Sequence, residues 1–585
     1  MQGRPRPRRA GATRRCGARH RRSPNRVCSP TRCPPNGLRC AEDRHHGGRS
    51  RGPGMSSKLS RRQLIAGAAV GSAAVAAQVA AGSPAFAASP SPAASAAAAP
   101  TVAGAGTVLD APGAVPSGVR AVTRVASFPV GYSTGSTMLF ESKANIAKTL
   151  DTIVASGGTT VRFDIMWILI QPNDGSYTWG IFDYAVAESR ARGLTILGII
   201  TTCPPWAALN GGNAGGTMRP ATTGTYAKFA GVVAKRYKGK IAAYEIWNEP
   251  NARMYFAPDP DPTFYGQLVR AAYPVIKAAD PAATVLAGVM GPAFDGDGLL
   301  SPITFLTRMY AAGAAGRFDA LSFHPYDYTQ GFASATLWDN TAARRMIEMH
   351  AIMVKNGDGL KKIWITEYGA PTGTGGVSET RQAALLQSSL QSWGEVSYAG
   401  PFYIFTVTDI GGETMGVTTS TFAPKKSLAT VTALQASGLP LTARGQAFKD
   451  NADPALGASV SVTYPMGGGA VQECENGSRY QTSKGWFSSP TAVATLARLY
   501  QFVPITPFAN NYQNFNKTGG FRIFYTPATG AHSVAGVILA KWTSALGVAT
   551  TDEYAYAADG SRANDFVKGR IVWSATTGVV TVTKF

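Results

Sequence analysis

Hydrophobic and polar residues follow two alternating patterns between about residue 121 and residue 438. Short apolar runs rich in β-branched and aromatic residues predict strands, and longer stretches with apolar residues three or four positions apart predict amphipathic helices. We expect eight strands, in the segments ASFPVGYS, TTVRFDIMW, TILGIITTCPPW, AAYEIWNEPN, TVLAGVMGPA, ALSFHPYDY, KKIWITEYGA and PFYIFTVTDI. Eight strand–helix units over roughly 320 residues predict an α/β fold, a (β/α)8 TIM barrel.

The alternative α/β architecture is an open, doubly wound sheet. That fold would place a glycine-rich phosphate loop after its first strand, and the sequence has no such loop there. The barrel is therefore favoured, and nucleotide binding is not expected.

The pattern changes after about residue 454, where glycine, serine, threonine and aromatic residues dominate. Three segments resemble one another: NGSRYQTSKGWFSSPTA, NNYQNFNKTGGFRIFYTPATG and DGSRANDFVKGRIVWSATTG. Repeats of this length each form one small unit and stack to share a core. Residues 455–585 are therefore predicted to form a small β-rich repeat domain.

The first 120 residues have the pattern of an export leader. Residues 55–87 begin with a basic stretch that contains Arg61 and Arg62, continue with a mild Ala/Gly/Val run and end in Ala85-Phe86-Ala87. This is typical of a twin-arginine signal peptide, with cleavage expected after Ala87. Residues 88–120 are expected to form an Ala/Ser/Pro linker. We therefore expect a protein that is secreted or associated with the cell envelope and has no transmembrane segment after cleavage.

The formal charge of +22 suggests nucleic-acid binding, but its distribution argues against that function. Residues 1–54 carry fifteen arginines and only two acids, so more than half of the excess charge lies in a leader that we expect to be absent from the mature protein. Downstream of the leader the chain has only Cys203 and Cys474, which excludes a disulfide framework. No metal-ligand motif lies near the predicted strand ends, so no cofactor is expected.

Two glutamates occupy matching positions at predicted strand ends. Glu249, in WNEPN, ends the fourth strand, and Glu367, in ITEYG, ends the seventh. Parallel barrel strands open on one face, so two inward side chains there can approach to about 5 Å, the spacing of a retaining glycosidase pair. One carboxyl would attack the anomeric carbon and the other would protonate the departing oxygen.

These motifs resemble those of clan A glycoside hydrolases, closest to families 5 and 39, over about residues 121–437. The resemblance implies that Glu249 is the acid/base and Glu367 the nucleophile, and that Asn248 binds the sugar 2-hydroxyl.

The same resemblance assigns roles to Arg162 in VRFDIMW and to His324 and Tyr326 in FHPY. Arg162 matches the strand-two arginine held under the nucleophile, and the other two match a His-x-Tyr at strand six. We expect all three to tune Glu367.

Aromatic residues are candidate sugar platforms. The tryptophan that such enzymes usually carry at strand eight is missing, so Phe405 or Tyr403 is expected to replace it. Trp167 and Trp206 are further candidates, whereas strand alternation favours a core position for Trp247.

The C-terminal segments resemble the LGFP repeats of exported actinobacterial envelope proteins, with LGAS and LGVA in place of the signature. This resemblance implies attachment to the cell wall and favours an envelope or extracellular polysaccharide as substrate. Xylan, glucan, galactan and arabinan all remain open, as do endo and exo action. The alternative function is a catalytically inactive glycan-binding or cell-wall adhesion protein.

Overall fold

The computed structural model describes residues 128–585, apart from residue 214, residues 333–340 and residue 411. The predicted leader, signal peptide and linker, at residues 1–54, 55–87 and 88–120, lie outside the described residues. No helix of the described part of the chain is long and apolar enough to cross a membrane.

Eight parallel strands close into a barrel in chain order, which confirms the predicted TIM-barrel fold. The strands are β1 (Val130–Ser133), β2 (Thr160–Met166), β3 (Thr195–Thr201), β4 (Ala243–Ile246), β5 (Thr284–Met290), β6 (Ala320–Phe323), β7 (Ile363–Tyr368) and β8 (Ala399–Phe405).

Helices cover the outside of the barrel between successive strands. Their bounds are Lys143–Ala155, Trp167–Ile170, Gly180–Ala191, Thr223–Arg236, Pro262–Ala279, Pro302–Ala311, Ala342–Lys355, Glu379–Trp393, Lys426–Ala436 and Ala443–Asp450. Many of them begin after a Ser, Thr or Asp whose side chain accepts a backbone N–H of the first turn, as at Ser142, Thr222 and Ser301. Such caps satisfy amide groups that would otherwise have no partner.

The barrel interior consists of layers of side chains. One layer is apolar and is formed by Leu197, Ala243, Leu286, Ala320 and Tyr403. Two residues further along β4 and β6, on the same side of each strand, the side chains become polar, with Glu245 and Ser322. The change from an apolar to a polar layer marks the approach to the carboxyl ends of the strands, where barrel enzymes place their sites.

Three small antiparallel sheets follow the barrel, which confirms the predicted β-rich repeat domain. The first contains β9 (Tyr464–Met466), β10 (Gly469–Cys474), β11 (Gly477–Thr482) and β12 (Gly485–Pro490); the second contains β13 (Tyr512–Phe515), β14 (Phe521–Thr526) and β15 (Gly530–Ala535); the third contains β16 (Tyr554–Ala555), β17 (Arg562–Phe566), β18 (Gly569–Trp573) and β19 (Val580–Lys584). Helices Thr491–Tyr500 and Gly536–Lys541 follow the first and second sheets.

The first sheet shares its core with the barrel. Tyr464 and Val471 belong to the same apolar cluster as the barrel residues. The Tyr398 hydroxyl donates to the Val460 carbonyl at 2.9 Å, and Arg344 pairs with Glu473 at 2.9 Å. The second and third sheets pack mainly in two clusters of their own. The first unit is therefore continuous with the barrel, and the other two extend from it.

Candidate active site

Glu249 lies just beyond the end of β4, in a turn with unusual backbone geometry. Trp247 and Glu249 have φ angles of 66° and 39°, a region that non-glycine residues seldom adopt. Strained backbone of this kind concentrates at functional sites, because it fixes a side-chain direction that a relaxed turn would not give. The turn leaves Glu249 almost fully buried, with 1% of its surface exposed.

Glu367 lies on β7 and is held by two donors. Arg162 Nη1 donates to Oε1 at 2.6 Å, and the Tyr326 hydroxyl donates to Oε2 at 2.7 Å. Arg162 also donates to Ser133 Oγ at 2.9 Å and to Asn248 Oδ1 at 3.2 Å. The guanidinium therefore holds Glu367 and Asn248 in fixed positions relative to each other.

His324 lies between the two carboxylates. Its Nδ1 atom is 2.8 Å from Glu249 Oε1 and 3.7 Å from Glu367 Oε2. Its hydrogen-bond partner is thus Glu249, whereas the sequence suggested that it tunes Glu367. Two oxygens so close to one nitrogen can be no more than about 6.5 Å apart, at or below the lower end of the range for inverting pairs.

The two carboxyls differ in their surroundings. Burial raises the pKa of both, because it penalises the charged form. At Glu367 the charge of Arg162 and the Tyr326 hydroxyl oppose this rise in pKa. At Glu249 the hydrogen bond with His324 opposes the rise in pKa, while burial lowers the pKa of His324 itself. Arg162 contacts Glu367 and makes no hydrogen bond to Glu249, so we expect a proton shared by the pair to favour Glu249.

Glu249 Oε2 has no hydrogen-bond partner among the described residues, although it is buried. Gly291, which follows β5, lies against the same carboxylate: a Cβ atom there would be only 3.0 Å from Oε1. Buried polar atoms are nearly always paired in folded proteins, so a free carboxyl oxygen in this place is suited to a ligand.

A cleft opens beside Glu367 at the carboxyl ends of the strands. Asn248 and Phe405 line it, together with two acids, Asp164 and Glu413. Burial raises the pKa of Asp164 to about 7 despite the opposing charge of Arg162. Burial, assisted by the charge of Glu367, raises the pKa of Glu413 to about 7. Within the described part of the chain no lysine, arginine or histidine side chain lines this cleft, which is therefore acidic.

The structure separates the proposed aromatic platforms into two groups. Phe405 lines the cleft, as does an edge of the otherwise buried Trp247. Trp167 is fully buried and stacks on Phe229, with ring centres 5.0 Å apart. Trp206 is 37% exposed but lies outside the cleft lining, where its indole N–H donates to the Gln171 carbonyl.

Tyr403 is not brought to the cleft either. It lies in the apolar layer of the barrel interior, and its hydroxyl is 2.9 Å from Thr160 Oγ1. Tyr403 precedes Phe405 by two positions on β8 and so lies one layer deeper, because every second side chain along a strand points to the same face.

Three acids of the site carry no motif in the sequence. Glu245 is fully buried beneath Arg162, and Asp164 and Glu413 face the cleft. An acid within an otherwise apolar strand, as in YEIW, was the available signal for Glu245, and the two-residue spacing from Arg162 was the signal for Asp164. Glu413 lies in the loop after β8, where periodicity gives no indication.

A TIM barrel with paired glutamates at the carboxyl ends of its fourth and seventh strands has the architecture of a barrel glycoside hydrolase. Residues 124–398 match the model of the cellulase family, glycosyl hydrolase family 5. Residues 504–545 and 546–584 each match the LGFP repeat. The chain therefore contains a glycoside hydrolase domain of the cellulase type followed by LGFP repeats, as the sequence motifs indicated.

Solved structures show more distant similarity. A family 39 glycoside hydrolase from Bacteroides cellulosilyticus WH2 has 18% identity and a TM-score of 0.45, over 71% of this chain and 80% of that one. GH5_18 from Streptomyces cattleya has 13% identity and a TM-score of 0.42, over 56% and 82%. A β-xylosidase from Caulobacter crescentus CB15 has 16% identity and a TM-score of 0.40, over 61% and 73%. At these scores the likeness carries no argument about the substrate. No curated protein sequence matches the chain.

Proposed function

We propose that this chain is a secreted, retaining glycosidase that hydrolyses a polysaccharide by double displacement. The observation that carries this proposal is the position of His324 Nδ1, within 3.7 Å of both carboxylates. Such proximity suits a nucleophile and an acid/base, whereas an inverting pair needs room for a water molecule between sugar and base.

Glu367 acts as the nucleophile. Its contact with Arg162 stabilises the ionised form, and an attacking carboxylate must be ionised. In the first step a Glu367 oxygen bonds to the anomeric carbon, the glycosidic bond breaks, and the proton of Glu249 passes to the departing oxygen. In the second step Glu249 takes a proton from water, whose oxygen displaces Glu367 and restores the original configuration.

Asn248 positions the sugar. Its Oδ1 accepts from Arg162 Nη2, so its amide N–H groups remain oriented for a hydroxyl of the substrate. The arginine thereby fixes the position of the sugar relative to the nucleophile. Holding the reacting groups in the correct relative orientation lowers the reaction barrier.

The charge of the cleft limits the substrate. Glu367 lies along its wall, Asp164 and Glu413 gain negative charge as pH rises through about 7, and the described lining has no basic side chain, so at and above neutral pH the cleft disfavours glycans rich in uronic acid. Neutral envelope or extracellular polysaccharides such as xylan, glucan, galactan or arabinan suit it better. We further propose that the LGFP repeats attach the enzyme to the cell wall after export.

The glycosidase activity and the preference for neutral glycans can be tested with purified full-length protein on a panel of glycans that includes a polyuronate. We expect turnover of a neutral polysaccharide and none of the polyuronate. Proton NMR of the first-formed product should show the anomeric configuration of the substrate, and an inverted product would contradict the mechanism. Binding without any turnover would instead favour the glycan-binding or adhesion function.

A further inference from the structure

A continuous series of hydrogen bonds joins the two catalytic carboxyls beneath the cleft. Its first half runs through Arg162, which donates to Glu367 at 2.6 Å and, through Nε, to Glu245 Oε2 at 2.5 Å. Arg162 and Glu245 are both at most 1% exposed. Glu245 therefore lies beside a fixed cation and acts as an ionised acceptor.

The second half returns to the other carboxyl. Ser322 Oγ donates to Glu245 Oε1 at 2.7 Å and lies 2.5 Å from Thr366 Oγ1. Thr366 Oγ1 is 3.1 Å from His324 Nε2, and His324 Nδ1 is 2.8 Å from Glu249 Oε1. Ser322, Thr366 and His324 have no exposed surface, so water does not compete for these bonds.

The charge of Glu245 fixes the direction of the hydrogen bonds from Ser322 to His324 Nε2. A hydroxyl has one hydrogen to donate, and Ser322 uses its hydrogen on the carboxylate. Ser322 therefore accepts from Thr366, which then accepts from His324, so the imidazole proton lies on Nε2. A neutral imidazole protonated at Nε2 can only accept at Nδ1, and the donor there is the Glu249 carboxyl.

We propose that Glu245 is a positioning residue that keeps the catalytic proton on Glu249, by orienting the hydrogen bonds through Ser322, Thr366 and His324. This inference rests on the proposed function, because it assumes that Glu249 is the acid/base. It assigns a role to an acid that touches neither carboxyl of the catalytic pair.

The same arrangement also favours the second step of the reaction. Once Glu249 has given up its proton, the carboxylate faces an unprotonated Nδ1, and the hydrogen bond between them is lost. Uptake of a proton from the attacking water restores that bond. The hydrogen bonds from Glu245 through Ser322, Thr366 and His324, here called the relay, therefore favour Glu249 as a base as well as an acid.

Replacing the charge of Glu245 should allow the direction to reverse. In Glu245→Gln the side-chain oxygen can still accept from Arg162, while the amide N–H can donate to Ser322. Ser322 would then donate to Thr366, and Thr366 would donate to His324 Nε2. The imidazole proton would lie on Nδ1 and be donated to an ionised Glu249. The titratable and charged groups that face Glu249, namely His324, Glu367, Arg162, Tyr326 and Tyr328, remain unchanged in this variant.

Two measurements test the proposal. In the pH profile of kcat/KM, the basic limb reports loss of the proton from Glu249. Glu245→Gln should move the midpoint of this limb to a pH about one unit lower. Nitrogen-15 NMR of His324 should show the proton on Nε2 in the unmodified protein and on Nδ1 in the variant. Thr366→Val, which removes the acceptor for Nε2–H, should also lower the basic limb, and Thr366→Ser should restore it.

Ser133→Ala is the matched control, because it removes another hydrogen bond to Arg162 without touching the relay. It should leave the basic limb in place. A proton on Nδ1 in the unmodified protein, or a folded Glu245→Gln with an unchanged basic limb, would overturn the proposal. The NMR result does not depend on turnover, so absence of glycosidase activity would contradict the proposed function separately.

Discussion

Gly291 lies so close to Glu249 that a single added carbon would meet the carboxylate, at 3.0 Å from Oε1. Glu249 is fixed from the other side by His324, so it has little room to withdraw. The absence of a side chain just after β5 is therefore part of what places the acid just beyond β4.

Gly291→Ala should displace Glu249 and slow hydrolysis. The expected loss in kcat/KM is about tenfold to a hundredfold on glycosides with poor leaving groups, because those need the proton. Activated aryl glycosides should be affected much less at the glycosylation step. Gly224→Ala, at a helical position with open space around it, is the control and should leave both rates unchanged. Equal losses on both substrate types would indicate general damage to the fold.

Removal of each carboxyl should give a different kinetic signature. Glu367→Ala should lower kcat by several orders of magnitude on every substrate, since no covalent intermediate can form. Glu249→Ala should retain activity on substrates with good leaving groups, and azide should accelerate it by attacking the intermediate. Equal sensitivity of both variants to the leaving group would contradict the assigned roles.

Arg162 should set the acidic limb of the pH profile. Glu367 must be ionised to attack, and Arg162 opposes the rise in its pKa. Arg162→Met removes that opposition, so the acidic limb of kcat/KM should move to higher pH while the rate falls. Arg162→Lys retains a positive charge and should move the limb less, although it cannot reproduce the forked contacts.

Loss of Arg162 should also cost stability. Arg162→Met leaves Glu245 and Glu367 buried without their cation, a change that typically costs about 3–5 kcal/mol. Comparing the acidic limbs of the methionine and lysine variants separates the effect on Glu367 from this loss. If neither limb moves, Arg162 has only a structural role.

Asp164→Asn should stabilise the protein in a pH-dependent manner. The folded-state pKa of about 7 exceeds the ordinary value of 3.8, so the folded form binds more protons than the unfolded chain between those values. Stability contributed by this group therefore falls as pH rises through that window, and the penalty is complete above pH 7. The variant removes a penalty on the order of 1–2 kcal/mol after allowance for the partial exposure of Asp164.

Thermal unfolding at pH 4 and pH 8 checks this prediction. The melting temperature of Asp164→Asn should exceed that of the unmodified protein at pH 8 and approach it at pH 4. Asp174→Asn, at an exposed acid, is the control and should show little difference at either pH. A gain that is equal at both pH values would mean that ionisation of Asp164 is not its source.

Two truncations should behave differently. A chain that ends at residue 438 loses Tyr464 and Val471 from the shared core and leaves buried Glu395 without its bond from the Thr463 N–H. It should be unstable or insoluble. A chain that ends at residue 503 keeps the first sheet and should retain turnover on small glycosides while losing retention on isolated cell walls. Equal wall binding by this shorter chain would contradict the anchoring role of the LGFP repeats.

The sequence predicts the barrel well because most of each strand is apolar and the helices between the strands are amphipathic. The sequence also identifies Glu249 and Glu367, because each follows such an apolar run and precedes a helix breaker. Tyr403 and Trp167 were misjudged as platforms because the depth of a side chain in a barrel depends on register between strands, which no local pattern reveals.

The partner of His324 and the extent of the shared core were also beyond the sequence. Which carboxylate His324 contacts depends on how β4, β6 and β7 meet in space. The sharp change in composition near residue 454 suggested a domain boundary there, yet the first sheet packs against the barrel. Composition marks where secondary structure changes and does not mark where a core ends.

The shared core between the barrel and the first sheet has a consequence for an enzyme held on a solid substrate. A catalytic domain on a long flexible linker samples a wide volume around its attachment point. A catalytic domain that packs against the first unit of the repeat domain reaches a more limited distance from that point. If the terminal repeats bind the wall as proposed, each binding event brings only nearby glycan within reach of the active site, where its effective concentration is high. Degradation would then advance in patches and would depend on how often the repeats release and rebind.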